Sequence, residues 1–213
     1  MLTNRDSTGM IYSYLALRKA IGWIGILLPF ILMAGGYLIF GGKLTMYSIS
    51  MYYFTGMRDV YVGSLFAIGL FLFFYKGYDK WDDWVGNIAG FCAICTAIFP
   101  TTRTGTGPLN LAGKIHFFVA TVFFLLLAVF SLFLFTRKNG VPTRGKIIRN
   151  RIYIACGSIM LACLAGMGIF FIVHKKNPLG SRFIFWSEII GLVSFGISWL
   201  TKGGTLYPDK KQL

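Results

Sequence analysis

The sequence predicts an all-α, polytopic membrane protein: six transmembrane helices in one bundle, with both termini cytoplasmic. Three observations carry this expectation. Hydrophobic residues make up 56% of the 213 and charged residues only 13%. The apolar residues gather into runs near the ~20 that a helix needs to cross a hydrocarbon core of ~30 Å. Lys and Arg concentrate in alternate connections, fourteen against seven, and the positive-inside rule puts the richer set in the cytoplasm. Six spans with short connections use up the chain and leave no room for a separate soluble domain.

Residues 1–19 read as a polar, basic cytoplasmic leader with Arg5, Arg18 and Lys19. The first span, about 20–41, has no small-residue cleavage site after it and reads as a retained helix. Pro29 interrupts it, removing a backbone donor and introducing a kink or hinge. Residues 42–56 form an outer connection whose Tyr47, Tyr52 and Tyr53 suit the interfacial belt. The second span, about 58–75, opens with the adjacent pair Arg58 and Asp59 and carries a small-residue stripe, Asp59, Gly63 and Ala67. Lys76–Asp83 reads as a tight turn at the inner interface.

The third span, about 84–100, places Gly86, Gly90, Ala93 and Ala97 on one face, and its GxxxG permits close backbone approach between helices. Thr101–Lys114 is an outer loop with Gly105, Gly107 and Pro108. The fourth span, about 115–136, opens with His116. Arg137–Arg151 carries six positive charges and no negative one, which secures the orientation. The fifth span, about 152–173, leads to a short outer loop with Pro178 and Gly180. The sixth, about 183–201, shows Ser187, Gly191, Ser194 and Ser198 on a packing face, and 202–213 is a basic cytoplasmic tail.

A net charge of +14 raises the question of nucleic acid, but the basic residues are scattered through connections and form no dense arm. A polybasic membrane surface explains them better. Cys92 and Cys95 have redox spacing, yet they lie within an apolar helix without bases to stabilise thiolates, so they read as packing residues. With two histidines and no close His/Asp/Glu spacing, no metal site is expected. Haem held by His116 and His174 is disfavoured because both lie at helix ends. No cofactor is expected.

The rare polar groups of the apolar segments converge on the outward side. Arg58, Asp59, Arg103, His116, Arg182 and Glu188 are the candidate ligand-binding residues. Glu188 is the deepest, about 7–8 Å into its helix at ~1.5 Å rise per residue. A carboxylate there needs a partner or a proton, and Arg58, Arg103, Arg182 and His116 are the groups expected to neutralise it. The stripes predict that Asp59 and His116 both point into the outer mouth of the bundle.

Taken together, these residues resemble bacterial six-helix membrane proteins classed as a domain of unknown function, and more distantly the DRAM/PGAP/Sfk-type group. The resemblance rests on Tyr52-Tyr53-Phe54-Thr55-Gly56-Met57-Arg58-Asp59-Val60-Tyr61-Val62-Gly63, on Tyr75-Lys76-Gly77-Tyr78-Asp79 and on Ala97-Ile98-Phe99-Pro100-Thr101. His116 and Gly196-Ile197-Ser198-Trp199-Leu200 also fit. Phe54 stands where similar chains carry a polar residue, often histidine. The resemblance implies a multi-pass bacterial inner-membrane protein with no established activity, and lipid handling only by analogy.

The expected function is non-enzymatic binding of an anionic amphiphile or lipid headgroup at the outward polar cluster. An accessory subunit of a larger membrane complex, with other membrane proteins as partners, is the alternative. A lipid hydrolase is the minority reading: Asp59, His116 and Glu188 supply acid–base groups, but Thr55, Thr101, Thr102 and Ser187 are nucleophiles only by proximity.

Overall fold

The computed structural model of the chain describes residues 4–77, 79–103, 110–137, 143–174 and 181–207. Tyr78, Gly105, Gly107, Pro108, Pro178, Gly180 and the end of the basic tail lie outside the described residues. All regular structure among the described residues is helical, and among them there are six long helices: α1 (Asn4–Leu38), α2 (Arg58–Phe73), α3 (Lys80–Ile98), α4 (Leu111–Val129), α5 (Arg144–Val173) and α6 (Phe183–Lys202). A short 3₁₀ turn, Ile49–Phe54, precedes α2, and α4 runs on through a π turn, Phe130–Leu134. Among the described residues, four segments are long and apolar enough to cross a membrane: Leu15–Leu38, Leu111–Leu134, Arg144–Val173 and Phe183–Lys202.

Several helices outrun the expected spans at their polar ends. Caps explain three of these boundaries. Asp79 accepts the N–H groups of Trp81 and Asp82 at 3.0 and 3.2 Å, so Trp81–Asp83 form the first turn of α3 and not a loop. Asn110 accepts from Gly113 at 2.8 Å and Thr143 from Lys146 at 3.2 Å, which starts α4 and α5 inside segments read as connections. Each cap satisfies a donor that the helix itself leaves free. α1 likewise begins at Asn4, well inside the expected leader, and continues through Pro29.

Each helix packs on its neighbours in sequence, and α6 closes the ring against α1. Glycines set the tightest contacts. A Cβ on Gly90 would lie 2.6 Å from the Gly69 carbonyl oxygen, so α2 and α3 meet backbone to backbone. The same holds for α1 and α6, where a Cβ on Gly196 would lie 2.5 Å from the Gly22 oxygen. Small residues permit this approach where larger ones would hold the helices apart. The expected packing faces of α3 (Gly86, Gly90, Ala93, Ala97) and α6 (Ser187, Gly191, Ser194, Ser198) are buried. The α2 stripe is not. Asp59 and Gly63 are exposed, and a Cβ on Gly63 would meet open space, because α2 buries Tyr61, Leu65, Ile68 and Leu72 instead.

Alternating helix direction gives the bundle two polar ends. One carries the 39–57 connection and is called the cap end below. The other gathers Tyr75, Asp79–Asp83, Arg137, the start of α5 and Lys202, and is called the basic end.

Candidate functional site

The cap end is built by the 39–57 connection folding back over the helices. Tyr52 is buried at its centre and donates its hydroxyl to the Leu44 carbonyl at 3.0 Å. Burial pushes that hydroxyl up to about 12, so it stays a neutral donor at physiological pH. The Thr55 hydroxyl donates to the Tyr52 carbonyl at 2.8 Å and accepts the Met57 N–H at 3.2 Å, closing the turn into α2.

Beneath this turn lies a polar network that joins three helices, α3, α4 and α6. Partly buried Glu188 of α6 accepts the Ile49 N–H at 2.5 Å. The next residue, Ser50, bonds His116 Nε2 at 3.0 Å across 66 positions of sequence. His116 Nδ1 lies 2.7 Å from the Phe99 carbonyl, at the end of α3. The tautomer follows from these partners. A carbonyl only accepts, so Nδ1 carries the proton; in the neutral ring Nε2 is then the lone-pair nitrogen, and Ser50 donates to it.

The six expected site residues therefore divide. His116 and Glu188 enter the network, His116 being 5% exposed. Arg58, Asp59, Arg103 and Arg182 are exposed and stand around it. Arg58 lies over the Tyr53 ring at 4.6 Å and donates to its hydroxyl at 2.9 Å. Arg103 lies over the Phe54 ring at 5.9 Å. Such cation–π contacts hold guanidinium groups at the rim, where water or a headgroup still reaches them. Asp59 does not turn into the mouth, as expected from its stripe, because the large side chains of α2 occupy the inward face. Nor does an arginine neutralise Glu188: among the described residues its hydrogen bond comes from a backbone N–H.

A cavity of about 380 Å³ lies at the cap end, between the end of α1 and the folded connection. Phe40, Met51 and Tyr52 contribute apolar wall, while Lys43 and Arg182 contribute cations, and the described lining holds no carboxylate. Ser50 and Lys43 are the residues that sequence reasoning missed. Ser50 sits in no motif and gains its meaning from a contact distant in sequence. Lys43 follows Gly41, whose φ of +62° turns the chain back over the bundle.

The basic end holds a second group of polar residues, gathered around buried Asp82, where the sequence predicts only an interfacial turn and a charged loop. Arg137 bridges Asp79 at 2.7 Å and Asp82 at 2.9 Å, and the Asp82 side chain is 1% exposed. Lys146 donates to the Phe135 carbonyl at 2.8 Å, and Lys202 lies over the Phe135 ring at 5.2 Å. Below them Tyr75, Phe130, Phe135 and Trp199 form an aromatic cluster with centroids 5.2–5.7 Å apart.

No family model, no curated protein and no solved structure matches the chain.

Proposed function

We propose that the protein crosses a bilayer six times and holds an anionic amphiphile at its cap end. The cavity carries this reading. A space of about 380 Å³ with an aromatic and methionine wall and two cations, Lys43 and Arg182, suits a ligand with an apolar body and an acidic head. Arg58 and Arg103, held on aromatic rings at the rim, extend the same positive surface. Guanidinium forks suit phosphate and carboxylate groups because they donate two parallel hydrogen bonds.

Six crossings with both termini inside is part of the proposal, as is the bacterial inner membrane implied by the family resemblance. α2 and α3 fall just short of a full apolar span, the first at 16 residues and the second because Lys80, Asp82 and Asp83 open it. Glycine contacts with each other and with their neighbours place both within the ring. Reporters fused at Asn139 and Gly107 test the topology: activity restricted to the cytoplasm at Asn139 and to the outside at Gly107 is expected, and the reverse overturns it.

Native mass spectrometry after mild purification tests the ligand. Phosphatidylglycerol supplied in nanodiscs is expected to stay bound to the wild type and to be lost from a Lys43→Ala/Arg182→Ala variant. Equal retention by both refutes the cavity reading.

A further inference from the structure

We propose that Ser50 and His116 form a nucleophile–base pair that cleaves a carboxylic ester of the amphiphile held at the cap end; this rests on the binding reading above. The geometry has the parts that such chemistry needs. The Ser50 hydroxyl donates to His116 Nε2 at 3.0 Å, within reach for proton abstraction. The Phe99 carbonyl, 2.7 Å from Nδ1, holds the ring in the tautomer that leaves Nε2 free to accept. In serine hydrolases a carboxylate orients the base; here a backbone carbonyl does so, without adding charge. Glu188 pins the preceding residue through the Ile49 N–H, which fixes the turn that presents the serine. Ser50 is partly exposed, and Met51, the next residue, lines the cavity.

The reaction balances with water as the only co-reactant. The Ser50 oxygen attacks the acyl carbon while its proton passes to His116 Nε2. The carbonyl oxygen takes up negative charge as the tetrahedral intermediate forms. The carbonyl re-forms, the bond to the alcohol oxygen breaks, and that oxygen takes the proton from Nε2, leaving an acyl-serine. Water then adds to the acyl carbon, giving a proton to Nε2. That proton returns to the Ser50 oxygen as the acid departs. Ester and water become acid and alcohol.

The hydroxyls considered from sequence, Thr55, Thr101, Thr102 and Ser187, do not bond His116 among the described residues. Thr55 is spent on the Tyr52 carbonyl and the Met57 N–H. Among the described hydroxyls, Ser50 is the one that bonds the imidazole.

The test uses the full chain in phosphatidylglycerol nanodiscs with an alkyl fluorophosphonate, the adduct being located by tandem mass spectrometry. An adduct on Ser50 is expected, absent from Ser50→Ala. His116→Gln is expected to slow its formation by about 100-fold or more, the usual scale for losing a general base. Lipid retention, read in the same preparations, reports whether each variant is folded and whether the amphiphile reading holds. Retained lipid without a Ser50 adduct in the wild type overturns the dyad and leaves the binding site intact. A Ser50 adduct without lipid retention overturns the binding reading and leaves the dyad standing. An adduct that forms at wild-type rate in His116→Gln overturns the base role.

Discussion

At the cap end a carboxylate and an imidazole are answered by uncharged groups: Glu188 by the Ile49 N–H, His116 by the Phe99 carbonyl and the Ser50 hydroxyl. At the basic end the buried carboxylate of Asp82 is answered by the Arg137 guanidinium, above an aromatic cluster that includes Trp199. The chemical consequences differ. An ion pair in a dry setting is costly to form and costlier to break, and it holds its members in one charge state. A residue with neutral partners is held in place while its proton stays exchangeable with a neighbour. The basic end is built for fixed structure, and the cap end keeps groups that can react.

The comparison is sharpened first by Trp199, 0% exposed at the centre of the aromatic cluster. Trp199→Ala is expected to cost about 3–5 kcal/mol in reversible unfolding from detergent, the range for large-to-small changes in a packed core. Arg137→Ala comes next, at about 3 kcal/mol, the low end for breaking a buried pair because the guanidinium is 36% exposed. His116→Ala should cost less, about 1–2 kcal/mol, since it strands only neutral groups. A cap-end loss as large as that of Arg137 would erase the proposed division of labour.

Acid should distinguish the ends next. Asp79 is held below the ordinary carboxylate value of 3.8 by the Asp82 N–H and by Arg137, and Asp83 by Lys76 and the Gly77 N–H. A depressed carboxyl contributes stability above its unfolded value and loses it as the pH falls through the folded one. Circular dichroism between pH 5 and pH 2 should therefore show loosening that begins near 3.8, and charge removal at Asp79 and Asp83 by Asn substitution should blunt it. The smallest effect belongs to Gly63, whose Cβ position is open. Gly63→Ala should be neutral or stabilising by up to about 1 kcal/mol through helix propensity, whereas the same change at Gly90 should cost about 1–3 kcal/mol through overpacking against α2. Equal effects at the two glycines would contradict the assignment of the α2 faces.

Apolar runs and small-residue spacing made the helices and the packing faces of α3 and α6 legible in the sequence. The α2 stripe misled because spacing identifies faces without saying which one packs. There the bulky Tyr61, Leu65 and Leu72 face the bundle, and a different glycine, Gly69, meets α3. His116 and Glu188 stood out as polar residues within apolar runs. Ser50 did not, because a serine in a connection is ordinary until an imidazole 66 positions away is found beside it. Asp82 was hidden for a related reason: the Asp79 cap winds a segment read as a turn into α3 and carries its carboxylate inward.

The π turn in α4 links the two ends through helix phase. Its wider loop, closed by the Phe135 N–H on the Phe130 carbonyl at 2.9 Å, accommodates one residue more than an α-turn would. Deleting a single residue between Phe130 and Leu134 would let the helix run straight. Because the wide turn already absorbs that residue, everything beyond would nearly keep its phase and height. His116, before the turn, and Arg137, beyond it, would both keep their partners. The wide turn thus carries one odd residue without breaking register between the chemistry at one end of the bundle and its anchor at the other.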